Sequence, residues 1–119
     1  MPVQLSTENG KIDVTDQVIA TIAGSAAMDC YGLVGMASRK GIKDGIAELL
    51  GRENLSRGVE VRREGDLLHI DLHVVVSYGT KISEVANNIQ SKVKYVLEEV
   101  AGLKVDFVNI FVQDVRVSK

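Results

Sequence analysis

The chain has no tryptophan, two phenylalanines and three tyrosines among its 119 residues, so its core must be aliphatic, built mainly from valine and isoleucine. A single cysteine, Cys30, excludes an intramolecular disulfide and fits a reducing compartment. No apolar stretch approaches the roughly 20 residues needed to cross a bilayer. The opening MPVQLSTENG lacks the charged-then-apolar pattern of a secretory signal. The expectation is a cytoplasmic protein whose link to a membrane, if any, runs through a partner. P-loop, GxGxxG, GxSxG and HExxH motifs are all missing, which weighs against an enzyme. Nothing in the residues calls for a cofactor. A net charge of −2 gives no general attraction for nucleic acid or an anionic membrane.

What is present fits one domain over residues 1–119, large enough to take roughly two-thirds of its unfolded surface out of water. The clearest element is Leu67–Tyr78, LLHIDLHVVVSY. Its even positions Leu68, Ile70, Leu72, Val74, Val76 and Tyr78 are apolar or aromatic, the period of a strand with one buried face. Centring a two-residue turn on Gly65 and Asp66 makes 58–78 a hairpin. That register pairs Val61 with Ile70, Val59 with Leu72, Arg62 with His69 and Glu60 with Asp71.

Residues 3–13 read as a short strand or arm with turn chemistry at Asn9 and Gly10. Thr15 is placed to cap a helix whose face carries Ile19, Ile22, Ala23, Ala26 and Cys30, stopped by Gly32 and followed by a strand over 33–38. A second helix spans about 82–101, with Val85, Ile89, Val93, Val96, Leu97 and Val100 on one face. The last strand changes apolar parity between Leu103, Val105, Phe107 and Val108, Ile110, Val112. This demands either two covered faces or a bulge. Residues 11–33 and 81–103 share Lys-Ile, a mid-helix Ile and Gly-Leu at a constant offset of 70. The fold class is therefore α+β: a small mixed sheet with two main helices on one face and a short extra helix, in the order β-α-β-α-β-β-α-β. The extra helix is placed in a variable insertion, 39–57, where Ile42, Ile46, Leu49 and Leu50 form a brief amphipathic stripe.

Two patterns carry potential chemistry. His69, Asp71 and His73 alternate on one strand face, and two histidines with a carboxylate are a legitimate ligand set for zinc or non-haem iron. Against that stand Arg62, expected opposite His69, and the lack of a cysteine or acidic cluster nearby. The bland alternative is the solvated face of a half-buried sheet. The second pattern is electrostatic. Residues 39–63 hold seven bases and four acids, whereas the segments on either side are acidic. Arg39, Lys40, Lys43, Arg52 and Arg57 could meet an acidic partner, or make this a weak nucleic-acid module. No aromatics are interleaved for base stacking, which disfavours nucleic acid. Cys30 completes an apolar stripe at a helix C-terminus, where the dipole disfavours a thiolate, so it reads as a small buried hydrophobe.

Taken together, KIDVTDQVIATIAGSAAMDCYGLVGMAS and RGVEVRREGDLLHIDLHVVVSYGTKISEVANNIQSKVKYVLEEVAGLKVDFVNIFV resemble the alkaline shock protein family, the envelope stress response proteins of Gram-positive bacteria. The likeness rests on Gly-Leu-Val-Gly-Met at 32–36, Val-Val-Ser-Tyr-Gly at 75–79 and the Lys81-Ile82 start of the second helix. Ser83 departs from the proline often found there. The resemblance implies a non-enzymatic interaction or scaffold protein in envelope homeostasis and alkaline or cell-wall stress. It also implies protein partners, such as an integral-membrane anchor protein or a fatty-acid-kinase-type protein. An exposed strand edge makes a homo-oligomer a further expectation.

Overall fold

The computed structural model describes residues 3–43 and 46–117, with the side chains of 3, 39–43, 46–48, 52 and 53 outside that description. Strands β1 (Val3–Thr7) and β2 (Gly10–Val14) form an antiparallel hairpin, so the N-terminal arm is two strands rather than one. Its turn lies over Glu8 and Asn9, with Gly10 at φ +138° already paired to Thr7.

Helix α1 (Asp16–Met28) begins at Thr15, whose hydroxyl accepts from the Val18 N–H at 3.3 Å, with Asp16 in the first turn where the helix dipole favours an anion. It ends at Met28, four residues before Gly32, so Cys30 lies in the turn beyond it. Small residues set how close it packs. A Cβ on Gly24 would lie 3.2 Å from Leu55 Cβ, because the 3-10 segment Arg52–Gly58 presses directly on that face.

Strand β3 (Leu33–Lys43) runs on past the expected end at residue 38 and pairs with β4 (Ile46–Leu49). The amphipathic helix expected around Ile42–Leu50 is thus a β-hairpin, and the helical residues come later, at Arg52–Gly58. One glycine inside the segment, Gly45, and β-branched Ile42 and Ile46 weaken a helix there, while Ile42 opposite Ala47 and Lys43 opposite Ile46 provide a ladder instead. Residues 44 and 45 lie outside the described part.

Strands β5 (Val59–Glu64) and β6 (Leu67–Ser77) form the hairpin in the expected register, Val59 to Leu72 through Glu64 to Leu67, with Gly65 at φ +61° in the turn. Strand β7 (Phe107–Arg116) runs parallel to β6 along residues 69–77. Since β7 occupies one edge of β6 over that length, β5 and β3 share the other, β5 beside 67–72 and β3 beside 74–76. The result is an α+β fold with β6 in the centre of a five-stranded mixed sheet.

Both helices lie on one face. Leu68, Ile70, Leu72, Val74 and Val76 of β6 meet Ile19, Ala23 and Ala27 of α1 and Val85, Ile89 and Val93 of α2 (Ile82–Tyr95) in one apolar cluster. Tyr78 breaks the pattern: β6 ends at Ser77 and the tyrosine is 70% exposed. A π turn, Val96–Val100, follows α2 and closes through the Ala101 N–H to the Val96 carbonyl. The wider turn keeps Leu97 buried but rotates Val100 outward, where it is 73% exposed rather than in the core stripe. The parity change near the C-terminus is resolved twice. Leu103 and Val105 are buried in an irregular segment before β7, and Val108 is then buried within it. A bulge falls between Val112 and Asp114.

Candidate interaction face of the sheet

The odd residues of β6 point away from both helices; Val75 is buried there against Ala37 and Val34, and the parallel register sets the three odd residues before it in rows with β7. His69 lies beside Phe107, Asp71 beside Asn109, and His73 beside Phe111. The outer rows are ring stacks with centroids 4.7 and 5.0 Å apart. The middle row is polar and closed. Asp71 is only 4% exposed although no helix covers it.

The Asp71 carboxylate takes up every donor aimed at it. Arg62 reaches it with Nε and, at 3.2 Å, with Nη2. Asn109 donates through Nδ2 at 2.8 Å. Burial alone would raise the Asp71 pKa. The hydrogen bonds from Arg62 and then Asn109 outweigh it and hold the carboxyl below its ordinary value. Arg62 in turn is held more firmly protonated than usual by its bonds to Asp71 and to Glu64, the latter at 2.6 Å. Glu64 also lies 3.7 Å from His69 Nε2. Nδ1 of the same ring is buried with no hydrogen-bond partner. His73 meets the Gln113 amide at 2.9 Å through Nδ1.

His69, Asp71 and His73 therefore share a face without converging. Each is engaged separately, and among the described residues no group of three histidine, cysteine, aspartate or glutamate side chains is placed to hold a metal ion. Arg62 has a part that its position opposite His69 concealed. It reaches diagonally across the ladder to Asp71, and Glu64 reaches diagonally to His69, so the two carboxylates of Glu60 and Asp71 never face each other uncompensated. The sequence signal was the spacing Arg62-x-Glu64 opposite His69-x-Asp71, an acid and a base exchanged between diagonal positions. The partnership of Phe107 and Phe111 with the histidines had no signal without the parallel register.

Of the basic residues singled out in 39–57, Arg57 is exposed at the end of the 3-10 segment, and the side chains of Arg39, Lys40, Lys43 and Arg52 lie outside the described residues. Two further bases of that charged segment are committed elsewhere: Arg62 to Asp71 and Glu64, and Arg63 to Asp16 at 2.9 Å. The Cys30 thiol is partly buried, and its pKa is pushed up by that burial, against the pull of Lys92 and with a smaller push from Asp29. No helix among the described residues is long and apolar enough to cross a membrane.

Comparison with known proteins places the chain in a family. The chain is 59% identical to YloU of Bacillus subtilis (strain 168) over 118 residues, covering 99% of this chain and 98% of that one. It is 45% identical to Spy1614 of Streptococcus pyogenes serotype M6 over 98% of this chain and 97% of that one. YqhY of Bacillus subtilis is 31% identical over 92% of this chain and 80% of its own length. No solved structure matches. With its family model matched across residues 4–117, the chain belongs to the alkaline shock protein 23 family, whose function is cell envelope-related.

Proposed function

We propose that this chain is a non-enzymatic interaction or scaffold protein in cell-envelope homeostasis and in the response to alkaline or cell-wall stress. It works in the cytoplasm and is held near the membrane through a protein partner. An integral-membrane anchor protein or a fatty-acid-kinase-type protein is the kind of partner the family resemblance implies. One observation carries the reading. The side chains best able to do chemistry do not converge: Asp71 and His73 are hydrogen-bonded to neighbours and His69 is stacked on Phe107, while the rings of Phe107 and Phe111 are 48% and 44% exposed. Such a face suits contact better than turnover.

In-cell crosslinking with mass spectrometry tests it. The wild type is compared with a charge-reversed variant at Arg39, Lys40 and Lys43, and with Phe107→Ala. The expected result is an envelope-associated protein recovered with the wild type and depleted with at least one variant. Identical partner sets from all three, together with a deletion strain no more sensitive to alkaline or cell-wall stress than its parent, would overturn the proposal.

A further inference from the structure

Strand β7 pairs with β6 on one side and, among the described residues, with no strand on the other. A ten-residue edge of this kind leaves a row of backbone donors and acceptors open to another strand. Proteins blunt such edges with lysine, proline, charge or a bulge. Phe107–Arg116 contains no lysine or proline, its bulge and its two charged residues, Asp114 and Arg116, lie near its C-terminal end, and its exposed apolar residues include Phe107, Phe111 and Val115. A helix side chain bonds to its backbone at the other end, from Gln90 Nε2 to the Val108 carbonyl at 2.9 Å. The centre of the edge, around Phe111, has neither device.

We propose that a second copy of this chain docks there, its β7 antiparallel to the first across a two-fold axis at Phe111, so that one sheet continues through both copies. The strand is self-complementary in that register. Phe111 meets its own symmetry mate, and Ile110 meets Val112, both on the helix-facing side. Asn109 meets the bulged pair Gln113 and Asp114, an amide beside a carboxylate. The two bulges, related by the axis, each place two residues against one and so keep the faces matched beyond them. Phe107 at the start of one strand comes beside Val115 and Arg116 at the end of the other, an aromatic ring next to an aliphatic chain and a guanidinium. An isologous contact of this kind closes on itself as a dimer. It goes beyond the scaffold reading, since purified protein forms the pair or fails to form it whatever the role in the envelope.

The test uses geometry that a two-fold pair alone supplies. Directly opposed residues on antiparallel strands have Cα atoms about 4.5–5.5 Å apart, within disulfide reach. In a Cys30→Ala background, Phe111→Cys is expected to convert most of the chain to a covalent dimer on mild oxidation. Val100→Cys, more exposed but remote from β7, should give only collisional traces. Light scattering behind size exclusion should find wild-type protein approaching twice its 12.9 kDa chain mass across the micromolar range, and Phe111→Asp at chain mass. A wild type at chain mass throughout, or a dimer in which Phe111→Cys cross-links no better than Val100→Cys, overturns the proposal. The cysteine variant decides the matter even if Phe111→Asp fails to fold.

Discussion

Replacing Asp71 by asparagine keeps the shape of the side chain and removes its charge, so it isolates what the buried carboxylate does for the fold. Three donors point at its two oxygens: Arg62 Nε at Oδ2, and Arg62 Nη2 with Asn109 Nδ2 at Oδ1. An amide offers one oxygen. In either orientation at least one donor loses its acceptor and faces an NH2 group, a loss of about 1–3 kcal/mol for a buried group. Breaking a fully buried ion pair costs about 3–5 kcal/mol, but here the surviving Arg62 is partly exposed and can turn to water. The expected loss at neutral pH is therefore about 2 kcal/mol, or a fall in Tm of about 8 °C for a domain of this size. The pH dependence has a fixed sign. Because the folded-state pKa of Asp71 is depressed, its stabilisation is complete above the unfolded value of about 3.9 and is lost as pH falls from there through the folded value. A protonated Asp71 is nearly isosteric with asparagine, so the gap between wild type and variant should narrow steadily below that pH. Urea denaturation followed by far-UV circular dichroism, at neutral pH and at steps down the acid limb, measures both quantities. A loss under about 0.5 kcal/mol at neutral pH, the range of ordinary surface changes, would refute the assigned role. So would a loss that stays constant with pH.

Three further outcomes follow from the packing. Gly32 and Gly102 both adopt left-handed backbone, at φ +89° and +72°, but a Cβ on Gly32 would lie 2.7 Å from Val85 Cγ2 whereas one on Gly102 meets open space. Gly102→Ala should then cost about 1–2 kcal/mol from backbone alone. Gly32→Ala should cost more, and Val85→Ala should be less harmful in that background than in the wild type. Equal costs, or additive ones, would contradict the clash. Val100→Lys should stay within about 0.5 kcal/mol of wild type in the same denaturation assay. Leu97→Lys should abolish cooperative unfolding, because the π turn leaves only Leu97 in the core. Cys30 should react with a disulfide reagent more slowly than a free cysteine at mildly alkaline pH, since burial raises its pKa and thins the thiolate population. A rate matching the free amino acid would place the thiol in solvent.

The parts of the fold legible in the sequence are those fixed by local rules. A two-residue turn at Gly65 and Asp66 sets the whole β5–β6 register, because the side-chain period of two leaves no other way to keep Val59, Val61, Ile70 and Leu72 on one side. Thr15, Ile19, Ala23 and Ile89 were likewise placed by capping and period alone. Over Ile42–Leu50 the four apolar residues fit a helical stripe and a short hairpin equally well, so periodicity alone points to the wrong element. What arbitrates is a pairing partner, which periodicity does not contain. Val100 departs from its stripe for a related reason: one π turn breaks the helical period. The site was harder still. Its residues are united by a parallel pairing between β6 and β7 across the whole of α2, and only that register brings Phe107 to His69 and Phe111 to His73.

The internal likeness at an offset of 70 shows where the boundary between fold and function falls. Three of its five identities land on positions with structural duties: Ile19 and Ile89 are sealed in the core, Gly32 and Gly102 turn the chain through left-handed backbone, and Leu33 and Leu103 re-enter the apolar layer behind them, whereas the shared Lys-Ile at 11–12 and 81–82 carries isoleucines that are exposed. None lies on the open face. His69, Asp71, His73, Asn109, Phe107 and Phe111 all sit on β6 and β7, outside both copies. A repeated helix-and-turn unit can thus be kept by the demands of packing while the strand face it leaves uncovered is free to be shaped by contact with other molecules. This is the division that the proposed interaction role requires, because the constraints that build a core and those that select a partner would then act on different side chains.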